Sequence, residues 1–76
     1  MGFEGDDFRL GGVRVLEQQW QAPIGLLKLP HPAYPNQTHE FAVYEVEAAS
    51  QLFRFAACEL SAGVWGFYLP DEQTTN

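Results

Sequence analysis

Two turns in the second half of the chain fix the pairing of three antiparallel strands between Phe41 and Leu69. The turn Ser61-Ala62-Gly63 separates two runs rich in aromatic and branched residues, and its glycine can take a positive φ, as in three-residue hairpin loops. A second turn, which lacks glycine and asparagine, lies between Ala48 and Gln51 and gives the same register whether its loop has two or four residues, whereas a three-residue loop would move every side chain to the other face. Both turns place the same side chains on one face, because alternate residues of a strand point to opposite faces.

This shared face predicts the hydrophobic core, since small residues lie opposite large ones across its strands. Its members are Ala42, Tyr44, Val46, Phe53, Phe55, Ala57, Trp65, Phe67 and Leu69. The opposite face, called the second face below, has Glu45 opposite Arg54 at one end and is apolar at the other. The apolar residues are Phe41, Val43, Ala56, Cys58, Leu60, Val64 and Tyr68. The outer side of a half-solvated antiparallel sheet is usually polar, so we expect other residues to cover this apolar half.

The N-terminal half is predicted to add short strands. Residues 1–12 are rich in glycine and acidic residues and form an arm, from which Phe8 and Leu10 are expected to pack on the sheet as a short edge strand. Residues 13–20 favour a strand because their start alternates, although a helical stripe is the alternative. The apolar segment 24–29 lies between two prolines, which predicts a strand at a sheet edge that covers part of the second face.

These patterns predict one all-β domain over residues 1–76, a small antiparallel sheet of four or five strands with the C-terminal three-stranded meander at 41–69. The alternative is an α+β fold with a helix near 13–20. A chain of 76 residues has room for one core. Residues 71–76 follow Pro70 and are predicted to be a disordered tail.

Composition excludes several classes of function. The net charge is -6 and no cluster of lysine or arginine occurs, which argues against direct binding to nucleic acid. No apolar run approaches the roughly 20 residues that a membrane helix needs. The start of the chain is acidic and lacks the apolar region of a secretory signal, and the single cysteine fits a reducing compartment. We therefore expect a cytoplasmic protein that does not enter a membrane.

Residues capable of catalysis or metal binding are few. His31, His39 and Glu40 are the only candidates for metal ligation, and their spacing matches no zinc pattern. Cys58 lies in an apolar strand where a buried thiol is inert, and Ser61 lacks the glycine that precedes a nucleophile elbow. The sequence therefore predicts neither an enzyme nor a cofactor.

The remaining hypothesis is binding to another protein, as an inhibitor or modulator of a larger partner, for example a phage-encoded anti-defence or an immunity-type protein. The predicted contact residues lie on the second face and on the proline-rich loop beside it: Val43, Leu60, Val64, Tyr68, Tyr34 and His31. Two alternatives remain open. One is a symmetric homodimer joined through the second face, and the other is a small-ligand or metal-binding domain that uses His31, His39 and Glu40.

Overall fold

The computed structural model describes residues 2–5 and 7–69, and nearly all of its regular structure is antiparallel β-sheet. The strands are β1 (Gly2–Glu4), β2 (Arg9–Leu10), β3 (Val13–Arg14), β4 (Gly25–Pro30), β5 (Thr38–Ala48), β6 (Gln51–Ser61) and β7 (Val64–Tyr68), with a short 3-10 helix at Val15–Glu17. Five strands form one sheet in the order β1-β7-β6-β5-β4, and β2 and β3 form a separate two-stranded ribbon. The all-β prediction is confirmed. The predicted tail at 71–76 lies outside the described residues.

The register of the central strands follows the prediction. Tyr44 lies opposite Phe55 and Glu45 opposite Arg54 in the β5–β6 pair. In the β6–β7 pair, Ala57 lies opposite Phe67, but a bulge places Ser61 opposite Val64, where Leu60 was expected. A bulge adds one unpaired residue to one strand. The bulge therefore changes the pairing only next to the turn, and the side chains of β6 and β7 lie on the predicted faces of the sheet.

The turn between β5 and β6 is a two-residue turn of unusual composition. Ala49 has φ 52° and Ser50 has φ 63°, so both lie in the left-handed region. Positive φ at both positions is the geometry of a type I′ hairpin turn, which normally contains asparagine or glycine. The pairing of long apolar strands on either side therefore imposes a turn that the local sequence does not favour.

Residues 8–20 cover the predicted core face. Phe8, Leu10 and Val15 are buried against a cluster from the sheet that includes Phe55 and Phe67. The indole N–H of Trp20 donates to the Val15 carbonyl at 3.0 Å, and its ring lies 4.9 Å from Tyr44 and 5.3 Å from Trp65, measured between centroids. The core is therefore a layer of aromatic rings between this segment and the sheet.

Three expectations are corrected here. Only Val13 and Arg14 of the segment 13–20 form a strand, because Val15 and Trp20 turn inward to cap the core. Leu69 follows the last paired residue of β7 and is half exposed, so it does not join the core. The edge strand from the N-terminal arm is β1, which pairs with β7, whereas Phe8 and Leu10 pack across the face as expected.

Candidate protein-binding surface

The apolar end of the second face is covered by the connection between β4 and β5. This connection, residues 31–37, is called the capping loop below. The phenol of Tyr68 on β7 donates to the Pro30 carbonyl at 2.7 Å, and its ring contacts Phe41 edge-on at 5.4 Å between centroids. In a flat sheet β4 and β7 would be about 14 Å apart, with two strands between them. The hydrogen bond therefore requires that the sheet curls and that the second face is concave.

Gly66 allows the capping loop to approach the backbone of β7. A Cβ atom at this position would lie 2.9 Å from Leu60 Cδ1 and 3.2 Å from Pro32 Cγ. Both distances are shorter than ordinary van der Waals contacts, so a larger residue at this position would require the end of the Leu60 side chain and the Pro32 ring to shift. Pro32 and Leu60 consequently pack on β7 at the point where the loop crosses the sheet.

His31 anchors the capping loop. Its side chain is 9% exposed, and Nδ1 accepts hydrogen bonds from the backbone N–H groups of Ala33 at 2.9 Å and Tyr34 at 3.2 Å. Since Nδ1 is an acceptor, the neutral ring carries its proton on Nε2, which lies 3.5 Å from a carboxylate oxygen of Glu4. One imidazole thus fixes the loop backbone and joins the loop to edge strand β1.

Tyr34 is the exposed aromatic residue of this loop, with 57% of its surface accessible. The Gln37 N–H donates to the Tyr34 carbonyl at 2.9 Å, and the His31 N–H donates to the Gln37 carbonyl at 2.8 Å. The Tyr34 ring also lies 4.9 Å from the His31 ring. These contacts hold the backbone on both sides of the tyrosine while its ring faces solvent.

The structure separates the predicted contact residues by exposure. The second-face members are half-buried: Val43, Leu60, Val64 and Tyr68. His31 is buried beneath the loop, so its role at this surface is to position its neighbours. In the predicted set, Tyr34 alone is exposed to solvent.

The three residues considered for metal binding do not assemble. The His31 and His39 rings are 5.4 Å apart, but Glu40 follows His39 in β5 and therefore points to the opposite face, where its cross-strand partner is Lys28. His39 Nε2 is buried and has no hydrogen-bond partner among the described residues. Within residues 2–5 and 7–69, no group of three or more His, Cys, Asp or Glu side chains is placed to hold a metal ion.

Cys58 is half-buried on the second face. Burial raises the pKa of its thiol, and the negative charge of Glu59 raises it further. The thiol lies 3.8 Å from the Glu59 carbonyl oxygen, to which it can donate. A thiol held in its protonated form is a poor nucleophile.

Exposed aliphatic residues on β4 and immediately before it were not among the predicted contact residues. Ile24 is 55% exposed, Leu26 62% and Leu27 40%, and β4 is an edge of the sheet. The sequence signal was present, because the short apolar run lies between Pro23 and Pro30 and is typical of an edge strand. The prediction that this run covers part of the second face is wrong, because β4 lies beside β5 in the sheet and does not cross that face.

Comparison with known proteins adds no relative. The chain matches no protein-family model, no curated protein and no solved structure. Over the described residues, no helix has the length and apolar character needed to cross a membrane.

Proposed function

We propose that this chain is a small acidic protein-binding module that inhibits or modulates a larger protein, with Tyr34 at the centre of the contact surface. The observation that carries the proposal is the exposed tyrosine on a loop whose backbone is fixed by a buried histidine. Binding residues are often found on loops that a rigid scaffold positions.

The fixed loop favours tight binding because little conformational entropy remains to be lost. Pro32 and Pro35 flank Tyr34 and restrict φ, and the His31 hydrogen bonds restrict the backbone between them. A tyrosine supplies a large contact area with few rotatable bonds, which is why it recurs among residues that dominate interface energies. Leu60 and Val64 are half-buried on the same face and extend the apolar area available to a partner.

Charge supports a basic partner. Of the 4 basic residues, Arg14 pairs with Glu17 and Arg54 with Glu45, each at 3.3 Å, and the net charge of the chain is -6. A strongly acidic protein is steered toward a positive surface, and this attraction weakens with added salt. The proposal therefore includes association that slows as ionic strength rises. The single cysteine fits a cytoplasmic setting.

The test is affinity capture from cells of the source organism with three purified chains. Wild type is compared with Tyr34→Ala and with the control Leu52→Ala. Leu52 is 70% exposed at the other end of the sheet, so the control also truncates an exposed apolar side chain. Circular dichroism establishes that all three are folded.

The expected result is a protein that wild type and Leu52→Ala retain and that Tyr34→Ala loses. A partner that Tyr34→Ala retains as well as wild type does would show that the contact surface lies outside the capping loop. Absence of any protein specific to wild type would contradict the proposed function itself.

A further inference from the structure

The outer edge of β4 is unpaired in the described part of the chain and carries exposed aliphatic side chains. We propose that it pairs in antiparallel orientation with β4 of a second copy, about a two-fold axis at Leu27, and so forms a continuous sheet of ten strands. This inference goes beyond the proposed function, because it concerns a different surface and a different partner.

The register follows from symmetry and side-chain size. A two-fold axis between antiparallel strands keeps the second faces of both copies on the same side, so paired residues must share a face. Centring on Leu27 places Leu27 opposite its own copy and Gly25 opposite Leu29 of the second copy. Leu26 then lies opposite Lys28 of the second copy. The smallest residue of the strand therefore meets a large one, and no like charges face each other.

The neighbouring registers are worse. Centring on Lys28 places two ammonium groups opposite each other, which is destabilising. Centring on Leu26 brings Leu29 opposite Pro23, outside the strand, and shortens the paired length. The register centred on Leu27 uses all six residues of β4, with Pro30 opposite Ile24 of the second copy.

Charge also favours this edge for a second acidic copy. The chain carries a net charge of -6, but the row that crosses β5 and β4 contains Glu40 opposite Lys28 and is locally neutral. In the dimer this row continues to Leu26 and Ala42 of the second copy, so neither new neighbour brings a charge. The other sheet edge, β1, has three residues, and its Glu4 is engaged by His31.

The dimer has a consequence for display of the capping loop. Because the axis is perpendicular to the sheet, both capping loops lie on the same face of the ten-stranded sheet. Two Tyr34 rings would then be presented together, and simultaneous contact with two sites raises the apparent affinity without any new contact.

Site-specific crosslinking tests the register. In a Cys58→Ser background, Leu27→Cys places two thiols directly opposite at the axis, where Cα atoms of paired residues are about 4.5–5.5 Å apart and within disulfide range. Leu26→Cys is the matched control on the same strand, since the two copies of residue 26 are diagonal neighbours and too far apart. Leu26 is also the more exposed of the two, so random collision would favour the control.

The expected result is rapid oxidation of Leu27→Cys to a covalent dimer and slow oxidation of Leu26→Cys. Equal rates, or faster oxidation of the control, would overturn the register. Sedimentation of the chain without introduced cysteines supplies the second measurement, in which wild type is a dimer that tightens with added salt and Leu27→Lys is a monomer. A monomeric wild type at high concentration and high salt, or a Leu27→Lys dimer, would overturn the proposal.

This outcome is separable from the proposed function. Tyr34→Ala leaves β4 unchanged and is expected to sediment as wild type does. A chain that dimerises but captures no protein would retain this inference and lose the proposed function, and a monomer that captures a protein through Tyr34 would do the reverse.

Discussion

The phenol of Tyr68 and the carbonyl of Pro30 form a 2.7 Å hydrogen bond between β7 and the end of β4, two strands that are not neighbours in the sheet. This bond accompanies the curl of the sheet and brings the start of the capping loop over Phe41. The capping loop thereby covers the apolar end of the second face, beside which the sequence pattern places it.

Removal of that hydrogen bond should destabilise the protein without unfolding it. Tyr68→Phe keeps the ring against Phe41 and leaves the Pro30 carbonyl without its donor, so we expect the free energy of unfolding to fall by about 0.5–1.5 kcal/mol. Urea denaturation measures the change. Tyr44→Phe is the control, because no hydrogen bond to its phenol is found among the described residues, and a loss as large as that of Tyr68→Phe would contradict this account.

His31 should be replaceable by asparagine more easily than by leucine. His31→Leu removes the acceptor of the Ala33 and Tyr34 N–H groups, and leaving such donors unpaired costs about 1–3 kcal/mol. Asparagine can accept from the backbone two residues further on, so His31→Asn should retain part of that stability. Hydrogen exchange of the Ala33 and Tyr34 amides is the measurement. Protection of these amides in His31→Leu equal to that in wild type would show that Nδ1 does not fix the loop.

Glycine in place of Ser50 should stabilise the turn between β5 and β6. Ser50 has φ 63°, and a left-handed conformation costs an ordinary L-residue roughly 1–2 kcal/mol that glycine does not incur. We expect Ser50→Gly to raise the midpoint of thermal unfolding. Ser61→Gly makes the same substitution at a strand residue and should lower it. A lower midpoint for Ser50→Gly would contradict the assigned turn.

Cys58 should react slowly with alkylating reagents in the folded protein. Burial first, and Glu59 second, raise the pKa of the thiol, so less thiolate is present near pH 8 than for a free cysteine. The rate should rise in urea, and Glu59→Gln should raise it modestly in the folded state. Because the folded-state pKa is raised, this group contributes stability at neutral pH that is lost as the pH rises through that pKa. A folded-state rate equal to that in urea would exclude a protected thiol.

Most of the sheet could be predicted from the sequence because its signals are local or periodic. Alternation along β5, β6 and β7 and the glycine turn at Gly63 define the faces, and they correctly pair residues such as Tyr44 and Phe55. Ala49 and Ser50 show the limit of local signals, since tertiary pairing imposes a turn that their residue types do not favour.

The candidate surface was less predictable because it depends on contacts between distant segments. His31 was predicted to lie on a contact surface, but its approach to Glu4, far earlier in the chain, makes it a buried anchor. The exposure of Leu26 could not be inferred either, since Leu26 lies opposite Ala42 on the core face and its exposure depends on how far residues 8–20 extend across that face. Tyr34 remains the predicted contact residue that the fold leaves open to solvent.

The central claim is that Tyr34 touches a protein partner, and photocrosslinking in source cells tests it most directly. A benzophenone amino acid is introduced in place of Tyr34 in one chain and in place of Leu52, which is also exposed, in another. This account predicts a discrete crosslinked product from position 34 and none from position 52 after irradiation. The same products from both positions, or none from position 34, would contradict it.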